Sequence, residues 1–278
     1  MQRLVVLCAL VLMFLLGGMA APARAQTQAR TDAARSAAFI PAIDFTQVLP
    51  QPAGPPPTPR HTGIKAVVKG LGTDVKHLPS RENLMWVGIG GALALAAHPL
   101  DKRVNRSLVG NKNAEHFFKA GEVVGELGTL LGGSAAVYAA GRLKDQPRVS
   151  HVGMDLIQSL ALSEGITQTL KYTTRRERPD HSSRNSFPSG HAADTFAFAT
   201  AMERHLGWRY AVPAYLFASY VAVSRMPANR HWLSDAVFGA SVGIIAGRTV
   251  TSREAHPYPV ALTSVPGGAA IVFSRGTR

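Results

Sequence analysis

Cysteine is almost absent from this chain of 278 residues: the single one, Cys8, lies inside an apolar run at the N-terminus. The remainder of the chain therefore carries no disulfide, no zinc–thiolate centre and no thiol nucleophile. Charge is also scarce, at 17% of residues, and acidic charge scarcest: 17 Asp and Glu stand against 30 Lys and Arg, a formal net charge of +13. So few carboxylates leave little material for a two-metal cluster, and neither a metal nor another cofactor is expected. Helix-turn-helix, zinc-finger and RNA-binding signatures are all missing, so the basic excess does not point to nucleic acid. It fits an anionic membrane surface or a phosphorylated small-molecule or lipid substrate.

What the chain has in quantity is apolar residues, 46% of the total. The first run has the layout of a secretory signal peptide: Arg3, an apolar stretch from Leu4 to Leu16, and Ala23-Arg24-Ala25 before Gln26. Residues 1–25 are thus expected to direct export to the periplasm or cell envelope. Residues 26–60, with Pro50, Pro52, Pro55, Pro56, Pro57 and Pro59, read as an extended linker. Residues 61–255 form the expected domain. Ile64, Val67, Val68, Leu71 and Val75 recur at helical spacing, which predicts a helix, packed on that domain in the preferred reading and lying on an anionic membrane surface in the other. Beyond it the pattern predicts an all-α bundle of about six helices, near 82–98, 115–140, 152–174, 191–205, 210–224 and 231–250. In the tail, 256–278, Pro266-Gly267-Gly268 between two apolar stretches predicts a short β-hairpin. The runs from Ala192 and Ala236 are interrupted at Glu203-Arg204-His205 and near Arg248, so a soluble or peripherally attached domain is favoured over an integral one.

Three ordered blocks hold the chemistry: Lys171 followed after six residues by Arg178-Pro179, then Pro188-Ser189-Gly190-His191, then Ser224-Arg225, His231 and Asp235. Lys171 falls at the end of one predicted helix and His191 at the start of the next; Arg225 ends a helix and His231 opens the last. The short connection from His205 to Tyr210 makes its flanking helices antiparallel neighbours, so an up-and-down path brings the three blocks to one end. Lys171, Arg178 and Arg225 can neutralise the oxygens of a tetrahedral anion. Gly190 admits a close backbone approach, with amides at the helix start aimed at the anion. His231 and Asp235, four apart, are expected on one helical face, the carboxylate fixing the ring's tautomer. Arg175 and Arg176 read as a solvated basic patch. Glu122 with Glu126, and Glu164 with Gln168, read as polar pairs between helices rather than metal ligands.

The blocks K-x6-RP, PSGH and SR-x5-H-x3-D resemble the type 2 phosphatidic acid phosphatase (PAP2) family, which shares its site with bacterial acid phosphatases and vanadium haloperoxidases. The resemblance covers residues 171–235 closely. It implies a metal-independent phosphoric monoester hydrolase, with lipid phosphates or isoprenoid diphosphates among its substrates. His231 would be the nucleophile, forming a phosphohistidine, and Asp235 its partner. His191 would protonate the leaving oxygen, while Lys171, Arg178, Ser189, Gly190 and Arg225 would bind the phosphate. Phe187 and Ala192 lean toward the lipid phosphatases, and the loop from Asp180 to Phe187 is short for the family. Two rival readings are a vanadium-dependent haloperoxidase and a non-catalytic phosphate- or lipid-binding module. The first belongs to generally much larger proteins, and the second leaves a full set of polar site residues without a use.

Overall fold

Apolar residues at a helical period must be covered, and here they are covered largely by other helices. The computed structural model describes residues 63–252 and two strands, 260–265 and 268–273. The expected signal peptide and linker lie outside the described residues. Nine α-helices follow in order: α1 (Ile64–His77), α2 (Arg81–Ala97), α3 (Asp101–Leu108), α4 (Lys112–Val124), α5 (Leu127–Leu143), α6 (Pro147–Thr174), α7 (Gly190–Leu206), α8 (Trp208–Ser224) and α9 (Leu233–Thr251). Strands β1 (Val260–Val265) and β2 (Gly268–Phe273) form the expected antiparallel hairpin, with Val265 opposite Gly268 at the turn.

The all-α class holds, but the described residues contain more helices than the pattern predicted. The proposed 115–140 helix is two, α4 and α5, bent by 49° at Gly125 and Glu126. A Cβ on Gly125 would stand 2.2 Å from Val221 Cγ1, so glycine lets the chain turn hard against α8. After α2, His98–Leu100 form a 3₁₀ turn and α3 continues from Asp101. α1 packs on α6 and α9, its Leu71 against a cluster of Leu162, Ala197, Ala246 and Val250.

Local chemistry sets the boundaries that matter for the site. Pro147 starts α6, where its missing N–H costs nothing. Ser189 caps α7. Gly207 alone joins α7 to α8, at φ +82°, and makes them the antiparallel neighbours that the short connection required.

α9 is the central helix, and its most extensive packing is with α7. The contact is made of small residues. Ala192, Ala193, Ala197, Ala236 and Ala246 are fully buried, and Gly239, Gly243 and Gly247 line the facing stripe of α9. A Cβ on Gly243 would lie 2.2 Å from the Ala193 carbonyl oxygen and 2.7 Å from the Ala197 nitrogen. Larger buried side chains, Leu156, Leu160 and Phe196, fill the space around this seam, each contributing about 1.5–3 kcal/mol of burial.

The outer surface is unusually apolar. Leu84 and Leu95 on α2, Phe117 and Val123 on α4, and Trp208 and Tyr210 on α8 are all more than half exposed. Arg81–Leu108 and Leu233–Thr251 are long and apolar enough to cross a membrane, and the bent pair α4–α5 would make a third span if counted as one. Only 28% of the Arg81–Leu108 window is covered by protein, against 89% for Leu233–Thr251. The sequence-based preference for a soluble or peripherally attached domain did not anticipate these faces, because they are spread over several helices rather than collected in one long run. The apolar helices are consistent with membrane association.

The α7–α9 seam yields a first test. Gly243→Ala should destabilise the protein by about 1–3 kcal/mol, the usual cost of overpacking. Gly132→Ala, in the middle of α5 with nothing within 4 Å of its added methyl, should instead stabilise by up to about 1 kcal/mol. Thermal or denaturant unfolding of the two variants would read the difference.

Candidate active site

All three sequence blocks meet at one end of the bundle, as the up-and-down path required. Lys171 stands in the last turn of α6, His191 in the first turn of α7, Arg225 caps α8, and His231 immediately precedes α9. Arg178 sits in the loop between α6 and α7. Both histidines feel the positive charge of Lys171, and His191 also feels Arg225 and His231, which places these groups around one space.

His231 is 3% exposed, and its Nδ1 is 2.7 Å from the carbonyl oxygen of Ser186, to which it donates. That contact leaves Nε2 as the nitrogen able to attack. Burial pushes the ring below its ordinary value, opposed by Asp235, so it stays neutral and nucleophilic near pH 7. Asp235 is not a direct partner: its Oδ2 is 3.8 Å from Nδ1, an attraction rather than a hydrogen bond. The expected shared helical face also fails, because His231 lies ahead of the helix that begins at Leu233.

Asp235 instead organises the surroundings. Its Oδ1 accepts from Arg176 Nη1 at 2.6 Å. Its Oδ2 accepts from the Ser186 hydroxyl and, at 2.9 Å, from the Trp232 amide. Its backbone oxygen receives the Ser189 amide at 3.0 Å. Ser186 thus gives its hydroxyl to Asp235 and its carbonyl to His231, which is how the carboxylate orients the histidine.

Arg176 corrects the expectation of a solvated patch. Its Nη2 donates at 2.7 Å to Oδ2 of Asp101, a residue with no sequence signal, which is 3% exposed. Asp101 also accepts from the Ser234 amide at 2.9 Å and its hydroxyl at 2.7 Å. The guanidinium lies 5.8 Å over the Trp232 ring. Arg176 therefore clamps two buried carboxylates from opposite sides.

Around the histidines the cations are partly desolvated. Arg225 is 7% exposed and reaches Glu122 at 3.3 Å. The Nε atoms of Arg178 and Arg225 are buried without a hydrogen-bond partner among the described residues. Burial works against the charge of Lys171, Arg178 and Arg225 alike. Desolvated cations with spare donors suit an incoming anion. Ser189 is fully buried and Gly190 faces Lys171: a Cβ on Gly190 would sit 3.5 Å from Nζ, within the space beside the ammonium.

His191 has its Nε2 3.2 Å from the Glu122 carbonyl oxygen. Burial, then Arg225, pulls it down to about 4, so a bound phosphate dianion is what would restore its proton. Glu122 is therefore part of the site, through both its carboxylate and its carbonyl. It does not pair with Glu126, because the helix breaks between them. Glu164 and Gln168 do pair, at 2.5 Å. One turn below His191, Asp194 is 3% exposed, and burial together with Glu164 raises it to about 8.

Residues 152–255 match the model of the PAP2 superfamily. A stretch of 91 residues is 45% identical to lipid A 1-phosphatase of Porphyromonas gingivalis, covering 32% of this chain and 20% of that protein. Another, of 100 residues, is 34% identical to decaprenylphosphoryl-5-phosphoribose phosphatase of Mycobacterium tuberculosis, covering 33% of this chain and 55% of that one. The matched part thus spans between a fifth and about half of these relatives' lengths. The fold is similar to that of the transmembrane PAP2-type phosphatidylglycerolphosphate phosphatase from Bacillus subtilis, with a TM-score of 0.50 and 17% identity over 70% of this chain and 98% of that one.

Two variants test the buried charges. Arg176→Leu leaves Asp101 and Asp235 buried without their cation and should cost about 3–5 kcal/mol, read by unfolding. Asp194 is raised above its unfolded value, so the native state loses stability as pH rises from about 4 to about 8. Asp194→Asn should flatten that decline, which stability measured across the interval would show.

Proposed function

We propose that this chain is an exported phosphatase that transfers a phosphoryl group from a lipid-borne phosphomonoester to His231 and then to water. One observation carries the reading: two histidines enclosed by Lys171, Arg178 and Arg225, with buried arginine donors lacking partners among the described residues. The His231 Nε2 lone pair attacks phosphorus while Ser186 holds Nδ1–H. The bond to the ester oxygen breaks, and His191, protonated in the presence of the bound dianion, gives its proton to that oxygen. Water then attacks the phosphohistidine, His191 takes the proton back, and inorganic phosphate leaves. The three cations stabilise the charge spread over the equatorial oxygens, the work a metal ion does in other phosphatases, with the Gly190 turn and the start of α7 closing the cradle.

The named relatives act on lipid A and on a decaprenylphosphoryl sugar phosphate, and both names describe amphiphiles. An amphiphilic substrate suits a bundle whose outward faces are apolar, with a membrane covering α2, α4 and α8. The signal-peptide layout of residues 1–25 supports action outside the cytoplasm.

Purified protein should release phosphate from such lipids, and acid-labile label should be trapped on the denatured enzyme. His231→Ala should abolish both; full activity in that variant would overturn the mechanism. His191→Ala should lose about a hundredfold or more on an alkyl phosphate but far less on a nitrophenyl phosphate, whose leaving group needs no proton. Equal losses on the two substrates would assign His191 to the anion-binding turn alone.

A further inference from the structure

Glu122 stands outside the three sequence blocks and outside the residues that match the PAP2 model, yet it touches the site twice. Its Oε1 lies 3.3 Å from Arg225 Nη1, and its carbonyl oxygen accepts from His191 Nε2 at 3.2 Å. The break between α4 and α5 makes the second contact possible. In an unbroken helix the Glu122 carbonyl would receive the Glu126 amide. Here that amide donates to the Val123 carbonyl at 3.3 Å, which leaves the Glu122 oxygen for the histidine.

The two partners in the ion pair are unlike. The Arg225 side chain is 8% exposed; burial works against its charge, and Glu122 is the foremost group that opposes this. The Glu122 side chain is 53% exposed, so its carboxylate can turn into water at little cost. Their contact is also loose, since the buried Nη1 atom has no hydrogen bond among the described residues. The backbone beneath the carboxylate does not share that freedom. A Cβ on the neighbouring Gly121 would stand 2.9 Å from Ser224 Cβ, and the Tyr220 hydroxyl donates to the Phe117 carbonyl at 2.5 Å. These contacts pin α4 to the end of α8, beside Arg225. A fixed helix thus carries one movable anion up to a buried cation, the same cation that the phosphatase reading assigns to the phosphoryl group.

We propose that Glu122 is the counter-anion of the empty site: its carboxylate holds Arg225 until a phosphoryl group displaces it, and returns to Arg225 as inorganic phosphate leaves. The inference rests on the phosphatase reading above. Without the carboxylate, Arg225 would be a buried charge lacking its anion between turnovers, which is costly. With it, substrate and product alike must displace the same group, so the affinity of both is lowered by the same exchange. The effect matters most for inorganic phosphate, which three desolvated cations would otherwise retain. Glu122 acts through Arg225 as a positioning residue. It makes and breaks no bond to phosphorus, and it sets how readily the site fills and empties.

Two variants test the exchange. Glu122→Gln removes the charge and keeps the shape, while Glu122→Ala removes the charge and adds no donor of its own. Inorganic phosphate is the probe, used with the full chain in neutral detergent micelles. It serves as a competitive inhibitor of the hydrolysis of a short-chain lipid phosphomonoester and as a ligand in thermal unfolding. In both variants the phosphate Ki and the substrate KM should fall by about three- to fivefold, the upper range for a half-exposed ion pair. Without phosphate both should unfold at a lower temperature than wild type. Added phosphate should then raise the unfolding temperature of each by more than it raises that of wild type. Lost support for the fold alone would weaken anion binding, not tighten it. A phosphate Ki that rises or stays unchanged would overturn the exchange and make Glu122 a fixed prop for Arg225. Tightening in Glu122→Gln alone would overturn it too, by assigning the effect to the new amide. Wild-type protein that hydrolyses no phosphate ester would instead bring down the phosphatase reading, while the unfolding shifts with phosphate would still decide whether the exchange takes place.

Discussion

The carboxylate of Asp235 is the point on which the site's architecture depends. It is fully buried, and each of its contacts ties down a different part of the chain: Arg176 after α6, Ser186 before α7, and the Trp232 amide at the head of α9. Its backbone oxygen holds Ser189. A buried carboxylate is tolerable only when its lone pairs are filled and a cation is near, and here Arg176 supplies the cation while Ser186 and the Trp232 amide supply further donors. Arg176 extends the arrangement to Asp101 and Ser234, so the start of α3 is fastened to the start of α9 through one guanidinium.

This network explains why the reactive groups need little support of their own. His231 is aimed by a single carbonyl, that of Ser186, whose hydroxyl is already committed to Asp235. His191 rides on α7, which is held against α9 by residues too small to permit any other spacing. The arginines around the histidines, Arg178 and Arg225, are by contrast under-satisfied among the described residues. Their burial is costly in the absence of an anion, and that cost is recovered when one enters. Around the site, Asp101 and Asp235 are thus filled with donors, while Arg178 and Arg225 keep donors to spare among the described residues.

Much of this was legible in the sequence, and the failures share a cause. The three blocks, their order and the short α7–α8 connection were enough to gather Lys171, Arg178, His191, Arg225, His231 and Asp235 at one end. The path of the polypeptide determines that much. Arg176 was misread because adjacent arginines after a helix look alike in sequence, and only the fold reveals that one faces two buried acids. Asp101 carried no signal, since Arg176 and Ser234, the partners that tie it to the site, lie 75 and 133 residues away. The His231–Asp235 spacing suggested a helical pair, but the helix starts two residues after His231, and the carboxylate acts through Ser186 instead. Outward apolar faces escaped notice because each of α2, α4 and α8 contributes only a few residues to them.

Within the loop between α6 and α7, Arg176, Ser186 and Ser189 bind Asp235, whereas residues 180–185 stand apart from the histidines. That segment is secured by the Arg178 amide to the Ser183 carbonyl, by the His181 amide to the Arg178 carbonyl and by Asp180 to Arg230. The histidines and this segment are therefore separable units. Segments of other lengths could be grafted between Pro179 and Ser186 without moving either histidine, so the rim beside the site can be redesigned, or can drift in evolution, while the arrangement at its centre stays fixed.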